Sequence, residues 1–292
     1  MIGRRSATAG ALVVAVAVAV GALSGCAAKR GAKVESGTRL EYRLAKGVPV
    51  TYRSTQIGNQ TMEMMGQSMT METGRTMVFT IVPGETKEAS QRLAVRMDSL
   101  EASLKAPQGE FTADTGPAIG KTFEMSLSVL GKELDITGAD LIQYSLGSVG
   151  QRSIKPEFQS MFPDLAGRPL QIGDTWTTTD TVNTDESGMA LVIVSQSTNT
   201  LAGFEDIGGI RCARITTVGT GTVKGEGTQQ GAPVVLEAAT EGADTWFFST
   251  ELGLLVRMTS ELKAGGTVTV GGPGGMKIPT KQQTTTEMVR VK

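Results

Sequence analysis

Apolar and polar residues alternate along most of the chain beyond Thr38, and a period of two marks strands that bury one face. Leu40, Tyr42 and Leu44 share one parity against Glu41 and Arg43. Ala45-Lys46-Gly47 then supplies a turn, and Val48, Val50 and Tyr52 resume the alternation, which predicts a hairpin. The second strand continues through Met62 and Met64 to a turn around Met65-Gly66-Gln67. Met69, Met71, Met77, Phe79 and Ile81 keep one parity on the return, which Pro83-Gly84 is expected to end. Leu93, Val95 and Met97 hold one phase and Leu100, Ala102 and Leu104 the other, so the slip near Ser99 predicts a β-bulge and a curved sheet.

After Pro117, Phe123, Met125, Leu127 and Val129 predict a strand, and Leu130-Gly131-Lys132 a turn into Leu134 and Ile136. The texture changes between Asp140 and Phe162, where Leu141, Ile142, Tyr144, Leu146, Phe158 and Met161 suggest one or two short helices stopped at Pro163. From Ile172 onward, strand-like stretches bounded by Gly, Pro, Asn or Asp return, with Gly253 placed to take a positive φ between two of them. The fold class is therefore mainly β: long antiparallel hairpins form a curved sheet or open half-barrel, and one or two short helices lie between two β halves. The expected layout is one β-rich body over 38–292, possibly two diverged halves (38–137 and 172–292) joined by a helical segment (138–171).

The N-terminus has another pattern. Arg4 and Arg5 form a basic head, an Ala/Val stretch from Ala11 to Val20 follows, and small residues close it, which is the layout of a secretory signal peptide over 1–25. A membrane-spanning helix needs about 20 apolar residues, more than this stretch provides. Leu23-Ser24-Gly25-Cys26 resembles the bacterial lipobox, which implies diacylglycerol on the Cys26 thiol. The alternative is a plain signal peptide with Cys26 an incidental thiol. Residues 26–37 are small and charged, without periodicity, and read as a flexible tether. The expected location is a cell membrane or outer membrane, lipid-anchored and facing outside the cytoplasm. Ala27 is not the Asp that resembles an inner-membrane retention signal, which favours the outer membrane in a two-membrane host.

Composition narrows the chemistry. Removing Arg4 and Arg5 with the leader leaves 26 basic against 29 acidic residues, a formal charge of −3, and no cluster of Lys, Arg and aromatics offers a nucleic-acid footprint. Histidine is absent, which removes the commonest general base and the commonest transition-metal ligand. No catalytic constellation, cofactor site or metal site is expected. With Cys26 acylated, Cys212 is the remaining thiol, so stability has to come from packing, and its apolar surroundings suggest a buried small hydrophobe. Asp174, in a Gly-Asp turn beside Trp176, fits turn chemistry.

Phe162-Pro163, Gly173-Asp174-Thr175-Trp176 and Leu201-Ala202-Gly203-Phe204 before Gly208-Gly209-Ile210 resemble an uncharacterised bacterial lipoprotein family of unknown function. Trp246 to Arg257 is similar to the strand-turn-strand element of the periplasmic lipoprotein-carrier and lipid-carrier lipoprotein families, which implies a curved sheet closed by helices over an apolar pocket.

The most unusual local feature is the Met-rich hairpin. Met62, Met64, Met69 and Met71 form either core or an adaptable surface that grips flexible lipids; copper(I) ligation is the chemically possible alternative. Together these readings lead to an envelope lipoprotein, a non-enzymatic binding or carrier protein for an apolar ligand or another envelope component. The competing expectation is a structural or interaction lipoprotein with a closed core. The membrane is the expected partner; no envelope protein partner is identifiable.

Overall fold

The structure, a computed structural model, describes residues 37–291 except 65, 147–149, 187, 230 and 273. The leader, Cys26 and nearly all of the tether lie outside the described residues. Strands dominate: β1 (Val50–Met64), β2 (Gln67–Lys87), β3 (Ser90–Ala106), β4 (Gly109–Thr112), β5 (Thr122–Ser128), β6 (Glu133–Thr137), β7 (Gln143–Ser145) and β8 (Gln151–Ser153) precede a single helical turn, α1 (Lys155–Phe158). Then follow β9 (Thr175–Glu186), β10 (Met189–Ile207), β11 (Ile210–Gln229), β12 (Ala232–Ser249), β13 (Leu254–Val270) and β14 (Met276–Arg290).

Twelve strands make one curved antiparallel sheet in the order β6-β5-β3-β2-β1-β14-β13-β12-β11-β10-β9, with β4 against β3. It does not close into a barrel, because β6 and β9 are its two free edges. The two sequence halves meet along β1 and β14, paired from Tyr52↔Arg290 to Met62↔Thr280, so they share one sheet. The expected phase slip is present: Val78 faces Ser99 and Phe79 faces Met97, leaving Asp98 as the extra residue of a bulge.

Two expectations need correcting. Leu40 to Leu44 alternates in burial but joins no ladder. Its backbone instead bonds to three separate places, Tyr42 N to Val129 O, Arg43 N to Gly253 O, and Leu44 N to the Gln91 side chain, so it crosses strand ends. Pro83-Gly84 does not end β2, which continues to Lys87 through a second irregularity between Pro83 and Thr86. Where short helices were expected, the chain has a 3-10 turn at Ala139–Leu141, the β7–β8 hairpin and α1.

Alternation sorts the sheet into a wet convex face and a buried concave face. Ion pairs on the convex face, Arg92–Glu124, Lys105–Glu72 and Arg257–Glu287, are all exposed. A lipid-facing barrel wall would carry an apolar band there. The concave face holds two apolar clusters at opposite strand ends. One gathers Tyr52, Phe79, Leu93, Phe123, Phe158, Trp246 and Phe248, and the other Met62, Met71, Leu104, Leu191, Val234, Leu262 and Ile278. Between them runs a polar band with its own hydrogen bonds. Trp246 Nε1 donates to Thr217 Oγ1 (3.0 Å), Thr217 Oγ1 donates to Asn199 Oδ1 (2.6 Å), and Gln60 Nε2 donates to Thr280 Oγ1 (3.2 Å). Each bond supplies a partner to a buried group that would otherwise be costly to desolvate.

Candidate binding site on the concave face

The segment from Ala139 to Ala166 covers the concave face. Ile142, Ile154, Phe158, Met161, Phe162 and Leu165 are buried in the first apolar cluster, and Leu146 in the second. Phe158 packs edge-on against Phe79 and Phe123, with ring centroids 5.1 and 4.7 Å apart. Where β6 and β9 leave a seam, the stretch from Ser160 to Leu165 straps across it. Phe162 N donates to Glu133 Oε1 on β6 (2.9 Å), Ser160 Oγ to Asp180 Oδ2 on β9 (2.9 Å), and Trp176 Nε1 to Asp164 O (3.1 Å). Tyr42 Oη adds a bond to Pro163 O (3.1 Å). The free edges are thus held by side chains and one strap rather than by a ladder.

Beneath the cover sits a charged pair. Arg75 lies at an inward position of β2 and forms an ion pair with Glu157 of α1, and both side chains are nearly out of water, at 13% and 12% exposure. Arg75 Nη2 also donates to Gln56 Oε1 (2.8 Å). Pro156, at the second position of the single-turn α1, has its φ already suited to the start of a helix, and Glu157 follows it.

Two hollows adjoin this pair, and a third lies beyond them at the seam. One, of about 70 Å³, is lined by Arg75, Glu157, Ser260 and Thr284 together with Met77, Met161, Met258 and Met288. Another, of about 50 Å³, shares Gln56, Arg75 and Thr284 with it and reaches Tyr144 and Arg152. The largest, about 510 Å³, is the seam itself, lined by polar residues of β6 and β9, and meets the methionine-lined hollow at Gln159 and Ser160. Small-molecule pockets commonly run to roughly 300–1,000 Å³, so the two inner hollows are too small for a ligand of that size until the cover shifts.

Electrostatics at the seam are unusual. Burial pushes the half-buried Glu133 up to about 8, against the pull of the Phe162 amide, and Asp164 adds to the rise. Burial also raises Asp180.

The residues singled out in the sequence fall in several places. Met62 and Met71 are buried in the second cluster and Met64 and Met69 pack against it from partly buried positions, with Met62 opposite Met69 in the hairpin. The four methionines around Arg75 are different ones. Cys212 is buried, its Sγ donating to Ile210 O at 3.4 Å, and burial lifts the thiol to about 11, so it stays protonated. Asp174 accepts from Gln171 N (2.9 Å) and Arg168 Nη1 (3.0 Å), which closes the turn before β9 and holds the carboxyl below its usual range. Among the described residues no group of three or more His, Cys, Asp or Glu is placed to hold a metal ion. Arg75 and Glu157 escaped the sequence reading. The available signal was Arg75 sharing the inward parity of Met71, Met77 and Phe79, a charge on a face otherwise buried.

No protein-family model matches the chain and no curated protein is similar to it. Among solved structures it is similar to the COG4313 outer membrane channel from Pseudomonas putida F1, at 9% identity over 88% of this chain and 100% of that one, with a TM-score of 0.36. It also matches a DUF1329 family protein from Desulfovibrio piger, at 9% identity over 82% of this chain and 85% of that one, with a TM-score of 0.17. Neither superposition is close enough to transfer a function.

Proposed function

We propose that the chain is a membrane-tethered, non-enzymatic binding or carrier lipoprotein of the cell envelope, holding an apolar ligand or envelope component between its curved sheet and the segment that covers it. The leader and Cys26 supply the export and the anchor. The observation that carries the reading is the buried Arg75–Glu157 pair at methionine-lined hollows. A body built only to be solid gains little from such a pair, since well-packed apolar residues in its place are commonly neutral or stabilising. The closed-core interaction lipoprotein is the second reading, favoured by the small volume of the inner hollows. Native mass spectrometry of protein extracted from its own envelope separates the two. A reproducible extra mass that organic solvent removes supports carriage, whereas a chain that is always empty supports the closed body.

A further inference from the structure

The geometry points to a single-chain anionic amphiphile, a long-chain carboxylate, as the ligand, with its head group on Arg75 in the place now held by Glu157 and its tail among Met77, Met161, Met258 and Met288. This assignment rests on the binding reading above and names the ligand class. Three features of the interior lead to it.

The first is the chemistry of the occupied position. Arg75 is fixed at the sheet end by Gln56, and its guanidinium already grips a carboxylate, that of Glu157. A guanidinium fork matches any carboxylate of the same geometry, so the side chain of α1 stands where a ligand's head group would go. Ser260 and Thr284 line the same hollow and bring hydroxyl groups.

The second is the rest of that lining. Four thioether side chains line the hollow together with the charged pair, and unbranched methionines repack around a flexible chain at small cost. A wholly polar ligand would leave them unused, and a wholly apolar one would bring no carboxylate to Arg75 in place of Glu157, leaving its charge to the neutral Gln56 amide. An amphiphile satisfies both.

The third is the route. The methionine-lined hollow meets the seam at Gln159 and Ser160, where the strap bridges the two free edges. Entry there needs the strap and α1 to swing, not the sheet to open. Since α1 carries Glu157, the same movement removes the competing carboxylate. Glu157 therefore acts as an internal competitor that keeps Arg75 paired while the site is empty, and the measured affinity is reduced by the population of the closed form.

Displacement by long-chain competitors tests this with dansyl-undecanoic acid as the fluorescent probe. The wild-type chain should bind the probe and release it to palmitate much more readily than to hexadecanol, which has the same tail without the charge. Glu157→Gln should tighten probe binding by roughly tenfold or more, since a neutral amide competes poorly for Arg75. The double variant Arg75→Gln with Glu157→Gln leaves no buried charge unpaired, and it should lose the preference for palmitate over hexadecanol. Equal displacement by acid and alcohol in the wild-type chain overturns the assignment without recourse to any variant, as does a Glu157→Gln affinity equal to wild type. Should the probe bind with neither preference nor response, the binding reading stands and the ligand class falls. If neither probe nor endogenous ligand binds any form, both fall.

Discussion

Single side chains set the chemistry of the seam, and Glu133 gives the most direct prediction. Its carboxyl titrates near 8 in the folded chain against 4.5 for the free side chain, mainly through burial, so the folded form holds a proton that the unfolded form releases. The unfolded state binds fewer protons between those limits, and stability must therefore fall as pH rises from about 4.5 to about 8, then level off. Asp180 and Asp244, both raised by burial, act in the same direction. Replacing Glu133 by Gln keeps an acceptor for the Phe162 amide and removes the titration. Urea midpoints between pH 5 and 8 should fall less steeply in Glu133→Gln than in wild type, and parallel slopes would mean the carboxyl is solvated in the folded state. Cys212 and Asp174 were legible from sequence because each follows a local rule, an apolar strand neighbour in one case and an Asx turn in the other. Glu133 was not legible, since its shift comes mainly from burial, which exists only once the fold brings distant segments over it, with Asp164 adding to the rise.

Among the elements, hairpins were the most readable and their extent the least. The Met64–Gln67 turn, the Asp98 bulge and the β5–β6 turn fall where alternation and phase placed them. The stretch from Leu40 to Leu44 shows the limit: alternation reports which face is buried, not what the backbone bonds to, and here it bonds to three separate loops and strand ends. One of those contacts makes a sharp test. Gly253 has φ 62, as its turn requires, and a Cβ there would stand 2.8 Å from both the N and the O of Arg43. Gly47 has φ 73 with open space around it. Gly47→Ala should cost about 1 kcal/mol, from backbone conformation alone. Gly253→Ala should cost about 2–3 kcal/mol, because strain and a clash with backbone add. Equilibrium urea unfolding of the two variants measures the difference. Equal losses would show that the chain at Arg43 yields freely and does not lock the β12–β13 turn.

Across the whole molecule, the sheet and its cover are held by different means, and that difference decides whether a ligand can enter. β1 is paired along nearly its whole length on both sides, with β2 from Val50 to Met64 and with β14 from Tyr52 to Met62, so its amides lie in the centre of an unbroken ladder. The cover has a three-residue hairpin, two single helical turns and a few strap bonds, and otherwise depends on apolar contact. Alternation alone could show neither the seam nor its strap, since which strands become edges depends on the order of the sheet. Elements held this way open at lower free energy than the ladder they rest on. Hydrogen exchange followed by mass spectrometry should show peptides from Ala139 to Leu146 and from Gly150 to Ala166 exchanging through a local opening, while β1, β13 and β14 exchange only with global unfolding. The gap should amount to several kcal/mol, roughly a thousandfold or more in rate under conditions where closing is fast. Palmitate at saturation should slow the cover and leave the ladder unchanged, because the ligand would pin the strap from beneath. If the cover instead exchanged at the rate of β1, it could open only when the sheet unfolds, and the hollows around Arg75 would be sealed interior with no way in for a ligand.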